Sequence, residues 1–202
     1  MKVDRKTEEK ILEAAEEVFH EKGFDGARMQ EIAEQAGINK GLLHYYFKTK
    51  DKLFEAIFSV ALNRIVSKII AILEMDVALH EKINMIVDQY MALLLKNPAL
   101  PRFVLNELNK NPDRFISKHI NKDVKIAFLK FVASVQQEIN NKKIQPIDAR
   151  QLFINIISLT IFPFVGRPLL QVVFGADNTE FKQLLVERKE HIKKFINNAI
   201  EI

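Results

Sequence analysis

The stretch Asn39–Lys50, NKGLLHYYFKTK, decides how this chain is read. It has a glycine where a helix would begin, a run of ring side chains from His44 to Phe47, and lysines on both flanks. Asn39 is suited to cap a helix, because its side-chain oxygen can accept from a free backbone N–H of the first turn. The helix it starts is expected over 40–47. Leu43 and Phe47 lie four apart and share one face, which can turn to a core. Lys40, Leu42, Tyr45 and Tyr46 are then left outward or at the boundary. Taken alone, these residues suit a packed tyrosine pair beside a solvated lysine turn as well as they suit a surface built to hold a ligand.

Working upstream, a short helix is expected over about 29–35, with Met29, Ile32, Ala33 and Ala36 inward. Gly37 makes a tight turn after it, and Ile38 tucks in. The first helix carries Ile11, Leu12, Ala15, Val18 and Phe19 at helical spacing, with glutamates opposite, and Gly23 ends it. Downstream, Thr49 is placed to cap a long fourth helix over about 51–73, whose stripe is Leu53, Phe54, Ile57, Val60, Ala61, Ile65, Ile69 and Ile72. After a break at 75–78, helices are expected at about 79–96, 101–109, 113–141 and 148–162. They are punctuated by Pro98, Pro101, Pro112 and Pro146. Pro163, Gly166 and Pro168 interrupt again, a brief helix covers about 168–174, and Asp177 or Asn178 caps the last helix. No segment alternates with period two for long enough to argue a sheet. The fold class is all-α, with a small N-terminal domain over 4–64 and a larger one over 65–202.

With 202 residues, 48% of them hydrophobic, the chain can bury a sizeable core. It has no cysteine, which excludes disulfides, thiolate metal sites and cysteine nucleophiles. The charged N-terminus lacks an apolar signal region, so a cytoplasmic address is expected. The run 152–165 is the most hydrophobic stretch but is too short for a membrane span and carries Asn155, Ser158, Thr160 and Pro163. No membrane partner is expected. Because this run is apolar nearly all round, it must be covered on more than one side. The net charge of +4 is unevenly spread, with −1 over 1–52, −1 over 53–101, +5 over 102–143 and +1 over 144–202. Bulk basicity is therefore no argument for nucleic-acid binding at the N-terminus. Local placement is, since four lysines face one aspartate between Gly37 and Lys52. His20, His44, His80, His119 and His191 form no pair at helical metal-binding spacing, and no glycine-rich phosphate loop exists. Neither an enzyme, nor a metal, nor a cofactor is expected.

A short helix, a glycine turn and a second short helix beginning Asn-Lys-Gly is the outline of a helix-turn-helix, whose second helix enters the major groove of DNA. Tyrosine hydroxyls and lysine ammoniums are common phosphate partners. Gly41 has no side chain to hold a phosphate or base edge away. Lys48 and Lys50 sit where the chain enters the fourth helix.

The segment ILEAAEEVFHEKGFDGARMQEIAEQAGINKGLLHYYFKTKDKLFEAI resembles the N-terminal domain of the tetracycline-repressor (TetR) family of transcriptional regulators. The resemblance covers about residues 8–58. It rests on the Gly-Phe turn after the first helix, Ile32-Ala33, Ala36-Gly37, Lys40-Gly41, Tyr46-Phe47 and Lys50-x-x-Leu53, all in order. It implies an all-α homodimer that couples DNA binding to a ligand cavity in a variable C-terminal domain. It also implies that Ala27 to Tyr46 is the helix-turn-helix and that Lys40, Tyr45, Tyr46 and Lys50 lie at the DNA. Two positions depart from the family's pattern. Arg28 stands where Ser or Thr often caps the second helix, and an arginine can meet phosphate but cannot cap. His44 stands where tyrosine is frequent, and a neutral imidazole reaches phosphate only through its N–H.

The candidate DNA-binding set is thus Arg28, Lys40, Gly41, Leu42, His44, Tyr45, Tyr46, Lys48 and Lys50. The expected partner is a double-stranded, roughly palindromic operator. Among the middle helices, Tyr90, Phe103, Asn106, Phe128 and Phe131 are candidates to line an effector cavity, suited to a hydrophobic or aromatic small molecule. Phenylalanines at helical spacing also suit a plain core. Homodimerisation is expected through the helices about 148–162 and 178–198, forming a four-helix bundle with Phe153, Ile157, Leu184 and Ile192 at the interface. The rival reading is a helical dimer that binds a small molecule or protein without binding DNA. The placement of Lys40-Gly41 and Lys48/Lys50 argues against it.

Overall fold

The computed structural model describes residues 5–202, the side chain of Asp25 excepted. Every regular element among the described residues is an α-helix: α1 Arg5–Gly26, α2 Met29–Gln35, α3 Lys40–Tyr46, α4 Lys50–Glu74, α5 Leu79–Lys96, α6 Leu100–Lys110, α7 Pro112–His119, α8 Lys122–Asn140, α9 Ala149–Val165, α10 Arg167–Phe174 and α11 Asn178–Ile200. The all-α class is what the helical spacing and the scarcity of β-patterning dictate. The chain divides into two compact units, one up to Asn63 and one from Arg64 to Ile202.

In the first unit, the stripe of α1 supplies Ile11, Ala15 and Val18 to a core shared with Ile32, Ala33, Leu43, Leu53 and Ile57. Phe19, Phe24, Phe54 and Phe58 pack ring to ring beside it, with successive centroids 4.9 Å (Phe19–Phe54), 4.6 Å (Phe24–Phe54) and 4.0 Å (Phe54–Phe58) apart. Gly23 breaks α1 with φ +68°, a backbone region costly for any residue with a Cβ. Helix α4 crosses the boundary between the units. Its buried row gives Leu53, Phe54, Ile57 and Phe58 to the first core and Ile65, Ile72 and Leu73 to the second. With 25 residues, α4 is long and apolar enough to cross a membrane by length and composition.

The second unit is organised around α5 and α9, which pack on each other, on α11 and on α8. Its core includes Ile83, Ile86, Val87, Met91, Phe131, Leu152, Ile156 and Phe181. Two expectations from sequence are corrected here. The stretch 113–141 is two helices: α7 ends at His119, and Asn121 caps α8 by accepting from the amides of Asp123 and Val124 at 3.0 and 3.1 Å. An asparagine inside an apolar pattern reads as a tolerated helical residue, whereas here its side chain competes with the helix and restarts it.

Helix α9 also does not stop near 162 but runs through Pro163 to Val165. Proline has no N–H, so the carbonyl of Leu159 loses its helical donor. Arg188 of α11 takes that place, donating from Nε at 3.3 Å. One turn earlier, the buried Thr160 hydroxyl lies 2.9 Å from the carbonyls of both Ile156 and Ile157. Burial pulls the Arg188 guanidinium below its ordinary proton affinity.

Candidate nucleic-acid interface

The turn between α2 and α3 is built by Gly37 at φ +66°. That conformation lets the Ile38 amide reach back to the Ala33 carbonyl at 2.9 Å and the Gly37 amide to Glu34 at 3.1 Å, closing the carbonyl end of α2. Asn39 then starts α3, accepting from the Leu42 amide at 2.8 Å. Gly41 lies beside this cap, and a Cβ there would stand 3.3 Å from the Asn39 side-chain oxygen. Its lack of a side chain therefore protects the cap as well as leaving the backbone open. Thr49 caps α4 by accepting from the Lys52 amide at 3.1 Å.

On α3, Leu43 is fully buried and Phe47 nearly so. Lys40, Gly41, His44 and Tyr45 are exposed, while Leu42 and Tyr46 are half-buried. The Tyr45 and Tyr46 rings meet edge to face at 5.6 Å. His44 Nδ1 lies 3.3 Å from the Lys48 carbonyl. Arg28 precedes α2 in extended backbone and forms no side-chain cap, so its guanidinium is not spent on the helix end.

Three carboxylates of α1 and α2 have partners within the unit. Glu31 pairs with Lys22 at 3.2 Å, and that ammonium holds its carboxyl below the usual carboxylate range. Glu34 accepts from Gln30 at 2.8 Å, and Glu17 from Gln35 at 2.7 Å. The side chains of Arg28, Lys40 and Lys48 are thus the cations displayed around α2 and α3, in a region whose net charge is slightly negative.

Lys50, expected at the DNA, has its ammonium bonded within the unit. Its ammonium donates to the carbonyls of Phe24 and Ala27 at 2.7 and 3.1 Å and lies 4.4 Å from the centre of the Phe24 ring. The break at Gly23 leaves carbonyls near the end of α1 in need of donors, and Lys50 supplies them. Two of its three N–H bonds are committed inside the unit.

The effector candidates are dispersed. Tyr90 on α5 and Phe103 on α6 are half-buried, and Asn106 is exposed. Burial raises the Tyr90 hydroxyl above its ordinary pKa. Phe131 is core, 1% exposed. Phe128 lines a cleft of about 540 Å³ between α8 and the start of α9, together with Leu129, Val132, Val135, Gln136 and Ile147, with Asp148 and Arg150 also on its lining. Phe153 stacks behind it, 5.4 Å from Phe128 and 6.2 Å from Phe131.

Of the assembly candidates, Phe153 is half-buried, with its ring against Phe128 and Phe131 of its own subunit. Ile192, 2% exposed, lies in the inward row of α11. Ile157 and Leu184 are half-buried. The outward apolar residues are Ile154 and Phe162 on α9 and Val186 and Phe195 on α11, followed by Leu169, Val172, Val173 and Phe174 on α10. The inward row of α9 is Leu152, Ile156, Thr160 and Phe164. That row is buried once the Thr160 hydroxyl is satisfied within its own helix.

A helix-turn-helix unit followed by a larger helical unit defines the class, and comparison with known proteins gives the family. A model described as "Bacterial regulatory proteins, tetR family" matches residues 11–57. One described as "Tetracyclin repressor-like, C-terminal domain" matches residues 80–196, more than half the chain. The chain belongs to the tetracycline-repressor family.

It is 33% identical over 84 residues to the HTH-type transcriptional regulator YhgD of Bacillus subtilis, covering 42% of this chain and 43% of that protein. It is 27% identical over 94 residues to the fatty acid metabolism regulator protein of the same organism, covering 46% of this chain and 48% of that one. The chain therefore spans less than half the length of these two relatives. With the HTH-type transcriptional regulator RutR of Escherichia coli it is 26% identical over 193 residues, 94% of this chain and 88% of that one. Among solved structures, FadR of Bacillus subtilis in complex with stearoyl-CoA superposes with a TM-score of 0.55 at 19% identity, covering 96% of this chain and 99% of that one. At that identity the likeness speaks for the fold alone.

Proposed function

We propose that this chain is a dimeric, ligand-responsive DNA-binding regulator that places α3 of each subunit in a major groove of a roughly palindromic operator. The observation that carries this reading is the segregation of displayed cations. Arg28, Lys40 and Lys48 stand around α2 and α3 while Glu31, Glu34 and Glu17 are spent on internal partners. Arg28, Lys48 and Tyr46 hold phosphates, which fixes register without reading sequence. Lys40 reads guanine O6/N7, and Leu42 and Tyr45 make apolar base contacts. Gly41 lets the backbone come close. The test is selection of duplexes from a random pool, followed by gel shifts at several salt concentrations. Bound duplexes should share an inverted repeat, and log affinity should fall linearly with log salt. A failure to enrich any duplex would sink the reading.

The effector is a hydrophobic small molecule taken up in the second unit, with the Phe128 cleft as its entrance. The fatty-acid name of one relative and the stearoyl-CoA held by FadR favour an acyl chain. An effector shifts DNA affinity only as far as it binds two states unequally. A long-chain acyl-CoA is the first probe. It should raise the melting temperature and weaken operator binding together.

A further inference from the structure

We infer that His44 is a phosphate contact that works only when protonated, so that operator binding takes up protons. The inference rests on the DNA-binding reading above and adds to it the protonation state of one contact. The Lys48 carbonyl, 3.3 Å from His44 Nδ1, can only accept a hydrogen bond, so Nδ1 carries the hydrogen. A neutral imidazole has a single N–H, and here it is spent on the turn that leads into α4. Nε2, on the far edge of an exposed ring, is then a bare lone pair and an acceptor only. Phosphate oxygens are also acceptors. The neutral side chain has nothing to offer them, whereas the imidazolium offers an Nε2–H and a positive charge while keeping its bond to Lys48.

The charges that surround the ring in the free protein come from α2, α3 and the head of α4, and DNA adds a phosphate to them. Lys40 stands one helical turn before His44, and Lys48 follows it. Helix α2, which packs on α3, brings Glu31 and Glu34, bound to Lys22 and Gln30, with Arg28 at its start. The head of α4 brings Asp51, Lys52 paired with Glu55, and Lys50, held on two carbonyls. A phosphate placed against the ring favours its second proton in the complex. The complex therefore holds more protons than the free partners, and affinity must rise as pH falls. Each proton taken up is worth up to roughly tenfold per pH unit, and a dimer carries two copies of the histidine.

The test is operator affinity by fluorescence anisotropy from pH 8 to pH 6 at fixed ionic strength, using a duplex enriched from a random pool. The wild type should bind at least about tenfold tighter at pH 6. His44→Gln should be nearly flat, with His20, His80, His119 and His191 unchanged as internal controls. His44→Tyr should be flat too, since a phenol, like the glutamine amide, donates without taking up a proton. A slope in His44→Gln as steep as the wild type's overturns the inference. So does a nitrogen-15 spectrum of the free protein at pH 8 showing the proton on Nε2 of His44, whatever the fate of the DNA-binding reading. If no duplex binds at any pH, both readings fall together.

Discussion

Lys40 and Lys50 lie ten positions apart in one motif, and their surroundings give them opposite tasks. Lys40 is exposed, and its charge is available to an incoming polyanion. Lys50 has its ammonium on two carbonyls and above a ring, so its charge stabilises the end of α1. Lys40→Ala, Lys48→Ala and Arg28→Ala should each weaken binding, and loss of either phosphate holder, Lys48 or Arg28, should lower the salt slope by about one for every phosphate no longer neutralised, hence near two for a dimer. Replacement of Lys48 or Arg28 should act on all duplexes alike, whereas Lys40→Ala should also relax sequence preference. Lys50→Ala should instead cost about 1.5–3 kcal/mol of folding stability, the range for a hydrogen bond to a charged group. It should leave the salt slope of the folded fraction nearly unchanged. A salt slope that drops by two in Lys50→Ala would return that lysine to the DNA.

Helix ends account for much of how the elements hold their places. Asp148 caps α9 through the Arg150 amide at 2.8 Å and pairs with the Arg150 guanidinium at 2.6 Å. That guanidinium and the amide push the Asp148 carboxyl down to about 2 from an ordinary 3.8. A depressed folded-state pKa stabilises the fold above the unfolded value, and the contribution is lost as pH falls through the folded one. Stability should therefore decline between about pH 4 and pH 2 more steeply in the wild type than in Asp148→Asn, read as melting temperature against pH. At the other end of α9, Arg188→Met should cost about 1–3 kcal/mol by leaving the Leu159 carbonyl without a donor. In a Pro163→Ala background the new amide can serve that carbonyl, so the same change should cost less. Equal costs in a double-mutant cycle would mean that the two residues act independently.

At the scale of the whole molecule, apolar residues are left outward on α9, α10 and α11, among them Phe162, Leu169, Val172, Val173, Phe174 and Phe195, each more than half exposed. Covering them with a second copy matches the isologous pairing that palindromic recognition requires. Light scattering at micromolar concentration should give twice the chain mass. Phe162→Asp and Phe195→Asp should shift it toward the monomer and weaken operator binding, while Phe153→Ala should lower stability through the ring cluster it shares with Phe128 and Phe131. Monomeric wild type would remove the dimer from the proposal.

The sequence by itself determined the features that depend on neighbours within a turn or two. These are the helical class, the caps at Asn39 and Thr49, a cap at Asp177 or Asn178, the turn at Gly37, and the inward Leu43 and Phe47 that leave Lys40 and Tyr45 outside. Each follows from backbone chemistry or from 3.6-residue periodicity, and both are local. Tertiary structure alone decided where long-range partners are spent. The carbonyls of Phe24 and Ala27 claim Lys50 from more than twenty residues away, and the carbonyl freed by Pro163 claims Arg188. The facing of α9 was equally beyond local reading, because a helix apolar on all sides has no preferred phase until its neighbours are in place. Packing chose Leu152, Ile156, Thr160 and Phe164 for the inside. That choice left Ile154 and Phe162 facing out.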